Sequence, residues 1–353
     1  MGEPVRDRGP RREPDLPCRD AGGRGLRRAP PHARHPPHPR ARRRAADDLG
    51  DRTAALRAHG RVRRRGRRLL GGVLKVRIWG CRGSLAAPGP ETVRYGGNTS
   101  CVEVSAGETR LILDAGTGIR PLGVALDGHR PVDLHLLLTH LHLDHVEGLG
   151  FFAPIWLRET RLHVWGPPSP VRRLQERLAR YLSPPLFPVH LSDIPATLSF
   201  HDAPTAEWEI GDLRIRAAPV SHPGPTIGYR LSDGAHSFTY IPDHEPVLGT
   251  ELGELPPDWI SGHELAHHTD LLFHDGQYTE EEYERRVGWG HSSVAHAVEF
   301  ARRSDAARLV LFHHDPLHGD ADLDAVRGRA EALWNGNGAA PPTLAHEGME
   351  LEL

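Results

Sequence analysis

The chain has 353 residues, enough for one large domain or two ordinary domains with a substantial buried core. Hydrophobic residues make up 38% of it, and its apolar runs, such as residues 136–138 and Leu309–Phe312, are far shorter than the roughly 20 residues that span a bilayer. We therefore expect no membrane association. The Arg- and Pro-rich start also lacks the apolar stretch of a secretory signal.

The formal charge of −2 conceals an uneven distribution along the chain. Residues 1–70 contain 21 Arg and 8 acidic residues, which leaves a charge of −15 on residues 71–353. Such an acidic domain opposes the binding of polyanions unless the basic segment compensates. The three cysteines, Cys18, Cys81 and Cys101, lack the spacing of a zinc knuckle or a redox pair, which favours a reducing, cytoplasmic location.

Residues 1–74 are rich in Arg and Pro and have almost no apolar periodicity. Such a segment cannot bury enough surface to offset its loss of backbone entropy, so we predict a disordered arm before a folded domain of residues 75–353. The arm could attract nucleic acid by neutralising phosphates, but a tail without a specific role is the favoured interpretation. Because the only methionines are Met1 and Met349, a non-Met start codon near Val73 is a third interpretation, which N-terminal sequencing tests.

From residue 75 onward, short apolar runs alternate with Gly and Pro, which is typical of strands and tight turns. Apolar positions at three- and four-residue spacing further along indicate helices. The first strands follow one another directly and the later ones alternate with helices, which favours an α/β (α+β) fold with a β-rich core between helices. The predicted strands are residues 76–79, 101–104, 110–114, 134–139, 162–165, 213–217, 228–231, 237–241, 271–275 and 308–312, and the predicted helices are residues 171–181, 280–287, 294–302 and 321–333.

The strongest chemical signal is the sequence THLHLDH at residues 139–145, which follows a predicted strand. It presents three imidazoles and one carboxylate, ligands that suit borderline metals such as Zn²⁺. Alternation in an extended loop sends His140 and His142 to one side, while Asp144 and His145 can address a second ion. An accidental cluster among 25 histidines is the alternative, but the spacing favours a metal site.

An HxHxDH motif after a strand resembles the signature loop of the metallo-β-lactamase superfamily, and the similarity covers about residues 75–320. Asp114, in LDAGTG, is similar to the Asp of the family's early turn, which supports the metal loop from beneath. The sequence GGNTS at residues 96–100 resembles a segment of the phosphodiesterase branch, which includes ribonuclease Z and phosphoribosyl 1,2-cyclic phosphate phosphodiesterase. The resemblance implies a four-layer αββα sandwich.

The resemblance also implies two divalent metal ions, Zn²⁺ first, with Mn or Fe as alternatives. His222 in VSHP, Asp243 in YIPD and His313 in LFHHDP resemble the family's remaining ligands. A hydroxide between the ions would attack the substrate, and Asp144 could also accept the proton of that water. The implied ligands are His140, His142 and His222 for one ion, Asp144, His145 and His313 for the other, and Asp243 as a bridge.

His313 and His314 are adjacent, and only one of them can point into the site if the strand pleat continues to that position. We choose His313, because its place directly after the predicted strand 308–312 matches the family's final ligand. His314 is kept as the alternative.

The segment GWGHSS at residues 288–293 resembles the Gly-His-Ser/Thr segment of ribonuclease Z and related phosphodiesterases. The resemblance implies that His291 supports the phosphate and protonates the leaving oxygen, and that Asp275 orients it. The start of a predicted helix at this point would also favour an anionic substrate. The alternative for His291 is a helix-capping neighbour without chemistry, and Ser292 suits an N-cap under either interpretation.

Together these features predict a binuclear metal-dependent hydrolase, with a phosphodiesterase of small or cyclic phosphodiesters as the first hypothesis. The alternatives are a thioester or lactone hydrolase, a tRNA 3′-processing endonuclease, and a diiron redox or binding protein. A tRNA-processing enzyme would need a long Gly/Pro-rich arm, and residues 167–195 look too short and too helical for one, so nucleic acid is not the favoured substrate. Analogy with relatives adds a homodimer as a mild expectation.

Overall fold

The computed structural model of the chain describes residues 73–126, 129–248, 252–334 and 340–353. Residues 1–72 of the predicted arm lie outside these ranges, and the interpretations given for the arm stay predictions. None of the helices in the described ranges is both long and apolar enough to cross a bilayer.

Two mixed β-sheets of seven strands each form the centre of the described fold. The strands follow a sequence period of two: in the first, Val76 and Ile78 are buried while Lys75 and Arg77 are more exposed. The strands are, in chain order, β1 (Lys75–Gly80), β2 (Cys101–Ala106), β3 (Thr109–Leu113), β4 (Asp133–Leu137), β5 (Arg161–Gly166), β6 (Thr197–Asp202), β7 (Trp208–Ile210), β8 (Leu213–Pro219), β9 (Ile227–Ser232), β10 (Ser237–Ile241), β11 (Leu271–Asp275), β12 (Leu309–Phe312), β13 (Thr343–Leu344) and β14 (Glu350–Glu352).

Strands β1 to β6 lie in one sheet and strands β7 to β13 in the other, and only β14 returns to the first sheet. The first sheet runs β14-β1-β2-β3-β4-β5-β6 and the second β13-β12-β11-β10-β9-β8-β7. Strands β3 to β6 are parallel, as are β10 to β13, and the other neighbours are antiparallel. The carboxyl ends of parallel strands meet at one edge of a sheet, so the loops that follow β4, β10 and β12 can bring their side chains together.

Helices cover the outer face of each sheet. Apolar side chains from both sheets, such as Val104 and Phe273, form the core between them. A second apolar cluster packs the first two helices on the first sheet, and a third packs the later helices on the second sheet. This arrangement confirms the expected four-layer αββα sandwich. The helices are α1 (Ile119–Ala125), α2 (Leu174–Leu178), α3 (His263–Ala266), α4 (Glu280–Tyr283), α5 (Val294–Arg303) and α6 (Asp320–Leu333).

Two predicted helices are much shorter than expected. The helix predicted over residues 171–181 is reduced to α2, and the helix predicted over 280–287 ends at Tyr283. After α4 the chain turns through Gly288 and Gly290, both with positive φ, and their backbone N–H groups donate to the buried Glu245 carboxylate at 2.8 Å each. This tertiary contact determines the backbone here in place of local helix propensity.

The expected N-cap of α5 is off by one residue. Ser293, not Ser292, caps the helix, because its Oγ accepts from the backbone N–H of His296 at 3.2 Å. The Ser292 hydroxyl instead donates to the carbonyl of His244 at 2.6 Å. Ser292 therefore fixes the loop that carries His291 and does not start the helix.

Candidate metal centre

All seven predicted ligands lie on loops that follow strands. Four of them come from the loop after β4, which contains a short 3-10 turn, Leu143–His145. His222 follows β8, Asp243 follows β10 and His313 follows β12. The structure brings all seven together: one cluster contains His140, His142, His222 and Asp243, and the other contains Asp144, His145, His313 and the same Asp243.

Within each cluster the nitrogen and oxygen atoms that could ligate a metal lie within 4.8 Å of one another. Asp243 belongs to both clusters and is 2% exposed. One of its oxygens, Oδ2, is 3.6 Å from Nε2 of both His140 and His222 and 3.3 Å from Nε2 of His313. The other, Oδ1, is 3.0 Å from Nε2 of His145. The carboxylate therefore stands between the two sets of imidazoles.

Hydrogen bonds to Nδ1 orient four of the five rings so that Nε2 is left for the cluster. The partners of Nδ1 are Thr139 Oγ1 for His140, Asp114 Oδ2 for His145, the Gly290 carbonyl for His222 and Gln277 Oε1 for His313, at 2.7–3.1 Å. The fifth ring, that of His142, instead presents Nδ1, at 3.1 Å from His222 Nε2. A second hydrogen bond that fixes the ring is typical of metal-ligating histidines.

These donor atoms fit divalent cations. Two ligands at about 2.1 Å from a tetrahedral ion lie roughly 3.4 Å apart, close to the separations above. The Nε2 of His140 is buried and has no hydrogen-bond partner among the described residues, and such an orphaned atom is costly without a ligand. Burial also lowers the pKa of His140 well below its usual range, which keeps the ring in the neutral form that binds metals.

Asp114 holds the metal loop in place. It is fully buried, with φ of 58°, and accepts from the Thr139 backbone N–H and hydroxyl at 2.8 and 3.0 Å. It also accepts from His145 Nδ1 at 2.8 Å and from the Tyr240 hydroxyl at 3.0 Å. These contacts confirm that Asp114 supports the loop, and they tie the loop to β10 of the second sheet.

The structure places His313, not His314, in the cluster. Strand β12 ends at Phe312, and His313 has φ of 62°, so the strand pleat does not continue to this residue. The left-handed backbone still directs the His313 ring to Asp144 Oδ2, at 3.1 Å from Nε2. The His314 ring instead lies 2.8 Å from the Ala345 carbonyl, through its own Nε2.

Gly83 leaves the space that the His313 ring fills. A Cβ at this position would lie 2.3 Å from Nδ1 of the ring. We expect Gly83→Ala to displace the ring and to weaken metal binding by about 10- to 100-fold, the effect typical of a disturbed ligand orientation. Competition with a chromogenic chelator measures this change. Gly89→Ala is the matched control, because nothing lies within 4 Å of a Cβ there, and equal affinities for the two variants would contradict the expectation.

His291 and Asp275 form a pair beside the two clusters. His291 Nδ1 lies 2.7 Å from Asp275 Oδ2, and the His291 ring stacks on His313 with centroids 5.0 Å apart. Its ring also meets that of His222 edge to face, again at 5.0 Å. Burial opposes protonation of His291, but the Asp275 carboxylate outweighs it and raises the pKa of His291 to about 8.

Asp275 is held firmly in this position. Its Oδ2 accepts from the backbone N–H of His244, and its Oδ1 accepts from the backbone N–H groups of Gln277 and Ser292, at 3.0–3.2 Å. The carboxylate is completely buried. The expected juxtaposition of Asp275 with His291 is thus present, and the protonated ring has an N–H at Nε2 in addition to the one that faces Asp275.

Three residues that position the ligands were not predicted from the sequence. Ser84, at φ of 61°, donates its backbone N–H to Asp144 Oδ2 at 2.7 Å, and Gln277 contacts His313. Glu245 accepts from the backbone on both sides of Trp289 and so positions the carbonyl that meets His222. The only available hint was the proximity of Gln277 and Glu245 in sequence to Asp275 and Asp243.

A cleft of about 430 Å³ opens directly beside the first cluster. Its floor includes His140 and His142, and its walls come from the metal loop, from the segment around α2 and from the loop after His222. This volume is in the range of sites for small ligands. The lining residues are His140, Leu141, His142, Leu143, Arg177, Arg180, Tyr181, Leu186, Pro223, Gly224 and Pro225.

Comparisons with known proteins agree with this geometry. Residues 109–314 match the model of a beta-lactamase superfamily domain. The chain is 25% identical to ribonuclease Z of Natronomonas pharaonis, over 73% of this chain and 94% of that protein. It is also 25% identical to ribonuclease Z of Myxococcus xanthus, over 72% and 92% of the two chains.

Solved structures share the fold. A metallo-β-lactamase fold protein from Bacillus subtilis matches with a TM-score of 0.57 and 19% identity, over 80% of this chain and all of that one. A diphosphatase of the PhnP family matches with a TM-score of 0.56 and 18% identity, over 79% and 98%. The matched family model spans more than half of the sequence and includes the loop of residues 139–145. The chain therefore belongs to the metallo-β-lactamase superfamily and is a metal-dependent hydrolase.

Proposed function

We propose that the protein is a binuclear phosphodiesterase that hydrolyses a small or cyclic phosphodiester. The observation that carries the proposal is the His291–Asp275 pair, stacked against His313 beside the two ligand clusters. A general acid at this point is required by substrates whose leaving group is a poor one, such as a sugar alkoxide. The names of the ribonuclease Z relatives support phosphodiester chemistry.

Seven side chains would hold two divalent ions, with Asp243 shared between them. When bound, such a pair supplies a nucleophilic hydroxide at neutral pH and stabilises negative charge on the attacked phosphorus. Hydrogen bonds between Asp114 and the His145 ring and between Gln277 and the His313 ring fix the orientation of these two ligands. Zinc is the metal that best suits a ligand set rich in imidazole, with manganese or iron as alternatives.

His291 performs the proton transfer in this proposal. Its Nδ1–H stays with Asp275, and Nε2 gives its proton to the oxygen that leaves phosphorus. The Asp275 carboxylate raises the pKa of His291 and so favours the protonated ring that this step needs. Asp144, the other predicted proton acceptor, accepts from the Ser84 backbone N–H at Oδ2. In this proposal it serves chiefly as a ligand.

The choice of a small substrate rests on the cleft and on the charge of the domain. The cleft is of small-ligand size, and residues 71–353 carry a formal charge of −15, which repels long polyanions. Between β5 and β6 the chain has α2 and a short 3-10 helix, Leu191–Asp193, so this stretch is less helical than expected and the case against RNA rests on its length and on the charge. A tRNA 3′-processing endonuclease is the second candidate, because the curated relatives carry the name ribonuclease Z.

A substrate panel tests the proposal. Metal-replete protein is assayed with 2′,3′-cyclic AMP, bis(p-nitrophenyl) phosphate, a precursor tRNA with a 3′ trailer, a thioester and a lactone. We expect hydrolysis of the first two, loss of activity after chelation, and recovery when Zn²⁺ or Mn²⁺ is restored. Activity confined to the thioester or lactone would overturn the proposal, and efficient cleavage of the precursor tRNA alone would replace it with the second candidate.

A further inference from the structure

A second group of histidines lies at the opposite edge of the second sheet from the candidate metal centre. His267 and His268 follow α3 and precede β11, and Asp305 follows α5 and precedes β12. Because β11 and β12 are parallel, these three residues lie at the amino-terminal edge of the strands, whereas Asp275 and His313 lie at the carboxyl-terminal edge. The group is therefore separate from the seven ligands described above.

The three side chains offer donor atoms to a single point. One imidazole nitrogen from each histidine and one carboxylate oxygen of Asp305 lie within 4.8 Å of one another, the limit that the two clusters of the metal centre also meet. The centroids of the His267 and His268 rings are 3.9 Å apart. Ligands of a tetrahedral ion lie roughly 3.4 Å apart. Small rotations of these exposed side chains would therefore bring all three onto one cation.

Backbone hydrogen bonds join the two loops on both sides of Asp305. The N–H of His268 donates to the carbonyl of Ser304 at 2.8 Å, and the N–H of Ala307 donates to the carbonyl of Thr269 at 2.9 Å. His268 and Asp305 both have a left-handed backbone, with φ of 52° and 50°. Few residues other than glycine adopt this conformation, so the paired loops determine the positions from which the two side chains meet.

The His267 backbone and ring are held as well. Arg230 donates to the carbonyls of His267 and His268 at 2.6 and 3.2 Å. The His263 ring stacks on the His267 ring with centroids 5.3 Å apart, and its Nε2 donates to the Arg303 carbonyl at 2.9 Å. A loop that is ordered in advance loses less entropy when it binds a ligand.

The three side chains are not committed to other partners. Within the ranges that the structure describes, neither ring and neither oxygen of the Asp305 carboxylate forms a hydrogen bond or an ion pair with a residue outside the group. Two imidazoles and a carboxylate suit borderline divalent ions such as Zn²⁺. Three protein ligands also leave a fourth tetrahedral position open to water.

We propose that His267, His268 and Asp305 bind a further divalent ion, with Zn²⁺ as the best fit, and that this ion joins the loop before β11 to the loop before β12. The site is distinct from the proposed catalytic pair and does not depend on the proposed hydrolysis. Because its donors are exposed and one position stays open, its ion exchanges readily and is lost on dialysis against zinc-free buffer.

Equilibrium dialysis of the full chain at a micromolar free concentration of Zn²⁺ tests the proposal. We expect His268→Asn and Asp305→Asn each to bind one ion per chain fewer than the unaltered protein. Asparagine suits the left-handed backbone of both positions, so both variants should keep the fold. His129→Asn is the matched control, because His129 is also exposed but belongs to none of the ligand groups, and its ion count should not change.

Two further readouts identify the ion that the variants lose. Zinc-loaded crystals should give an anomalous difference peak about 2.0–2.2 Å from one donor atom of each of the three side chains. Excess Mg²⁺ should not displace this ion, because imidazole suits borderline metals and Mg²⁺ prefers oxygen ligands. Histidines in residues 1–72 are present in every protein compared, so any Zn²⁺ that they bind cancels in the difference.

The outcomes bear on this site alone. The same ion count in the unaltered protein, His268→Asn and Asp305→Asn overturns the proposal, and so does an equal loss in His129→Asn or displacement of the ion by Mg²⁺. None of these results affects the proposed phosphodiesterase, whose ligands lie at the other edge of the sheet.

Discussion

The variant Asp243→Asn is expected to lose phosphodiester hydrolysis by about a thousandfold or more and to bind fewer than two metal ions per chain. Asp243 is the side chain that stands within 3.0–3.6 Å of four imidazole nitrogens, and it is the one carboxylate common to both clusters. Removal of its charge would leave the two proposed cations without an anion between them. A loss of about 4 kcal/mol of transition-state stabilisation corresponds to this factor.

Elemental analysis after dialysis gives the metal content of the Asp243→Asn variant, and steady-state kinetics give its rate. Asp233→Asn is the matched control: it is also a buried aspartate, but it caps a turn by accepting from the backbone N–H groups of Ala235 and His236. An asparagine oxygen can still accept there, so this control should keep its metal and its activity. Two full equivalents of metal in Asp243→Asn, with an unchanged rate, would refute the bridging role.

The variant His291→Ala should separate substrates by their leaving groups. An alkoxide needs a proton as it departs, whereas p-nitrophenolate leaves without one. We therefore expect kcat for 2′,3′-cyclic AMP to fall by about 10²- to 10⁴-fold, the usual contribution of a general acid, and kcat for bis(p-nitrophenyl) phosphate to fall less than about tenfold. His236→Ala, at a half-buried turn between β9 and β10, should change neither rate.

Asp275→Asn extends this test to the residue that orients the acid. It should reproduce the leaving-group dependence of His291→Ala, because the carboxylate that holds Nδ1 and raises the pKa of His291 is lost. It should also lower stability, since Asp275 accepts from three backbone N–H groups. If His291→Ala lowers kcat for both substrates by the same factor, the His291 ring has a binding role and is not the proton donor.

Much of the site was predictable because its strongest signal is local. The loop of residues 139–145 places four donors within one short stretch, and resemblance then extended the set to His222, Asp243 and His313. Strong apolar strands such as β4 and β12 were likewise evident, since their buried residues are Leu, Val and Phe. Local pattern and tertiary structure agree at these positions.

The edge strands of the first sheet were not predicted from the sequence, and the reason is physical. Strand β6, with the sequence TLSFHD, has no fully buried residue, and β14 is the polar tripeptide ELE, which is paired to β1 by Lys75–Glu352 and Arg77–Glu350 ion pairs. Edge strands carry charge in place of apolar alternation, so their sequences resemble loops. The supporting contacts of Glu245 and Gln277 were not predictable either, because a hydrogen bond to a residue distant in sequence leaves no periodic pattern.

The way Asp114 joins the metal loop to Tyr240 has a consequence for biosynthesis. During translation, the histidines of residues 140–145 emerge long before Asp243 and His313, which lie about a hundred and about 170 residues later. The amino-terminal half alone therefore supplies only part of each ligand cluster. The Asp114 carboxylate also lacks its hydrogen bond from the Tyr240 hydroxyl until the second half is made. If the proposed two ions bind, their stable loading would follow release of nearly the whole polypeptide from the ribosome, and metal binding would then join the two halves late in maturation.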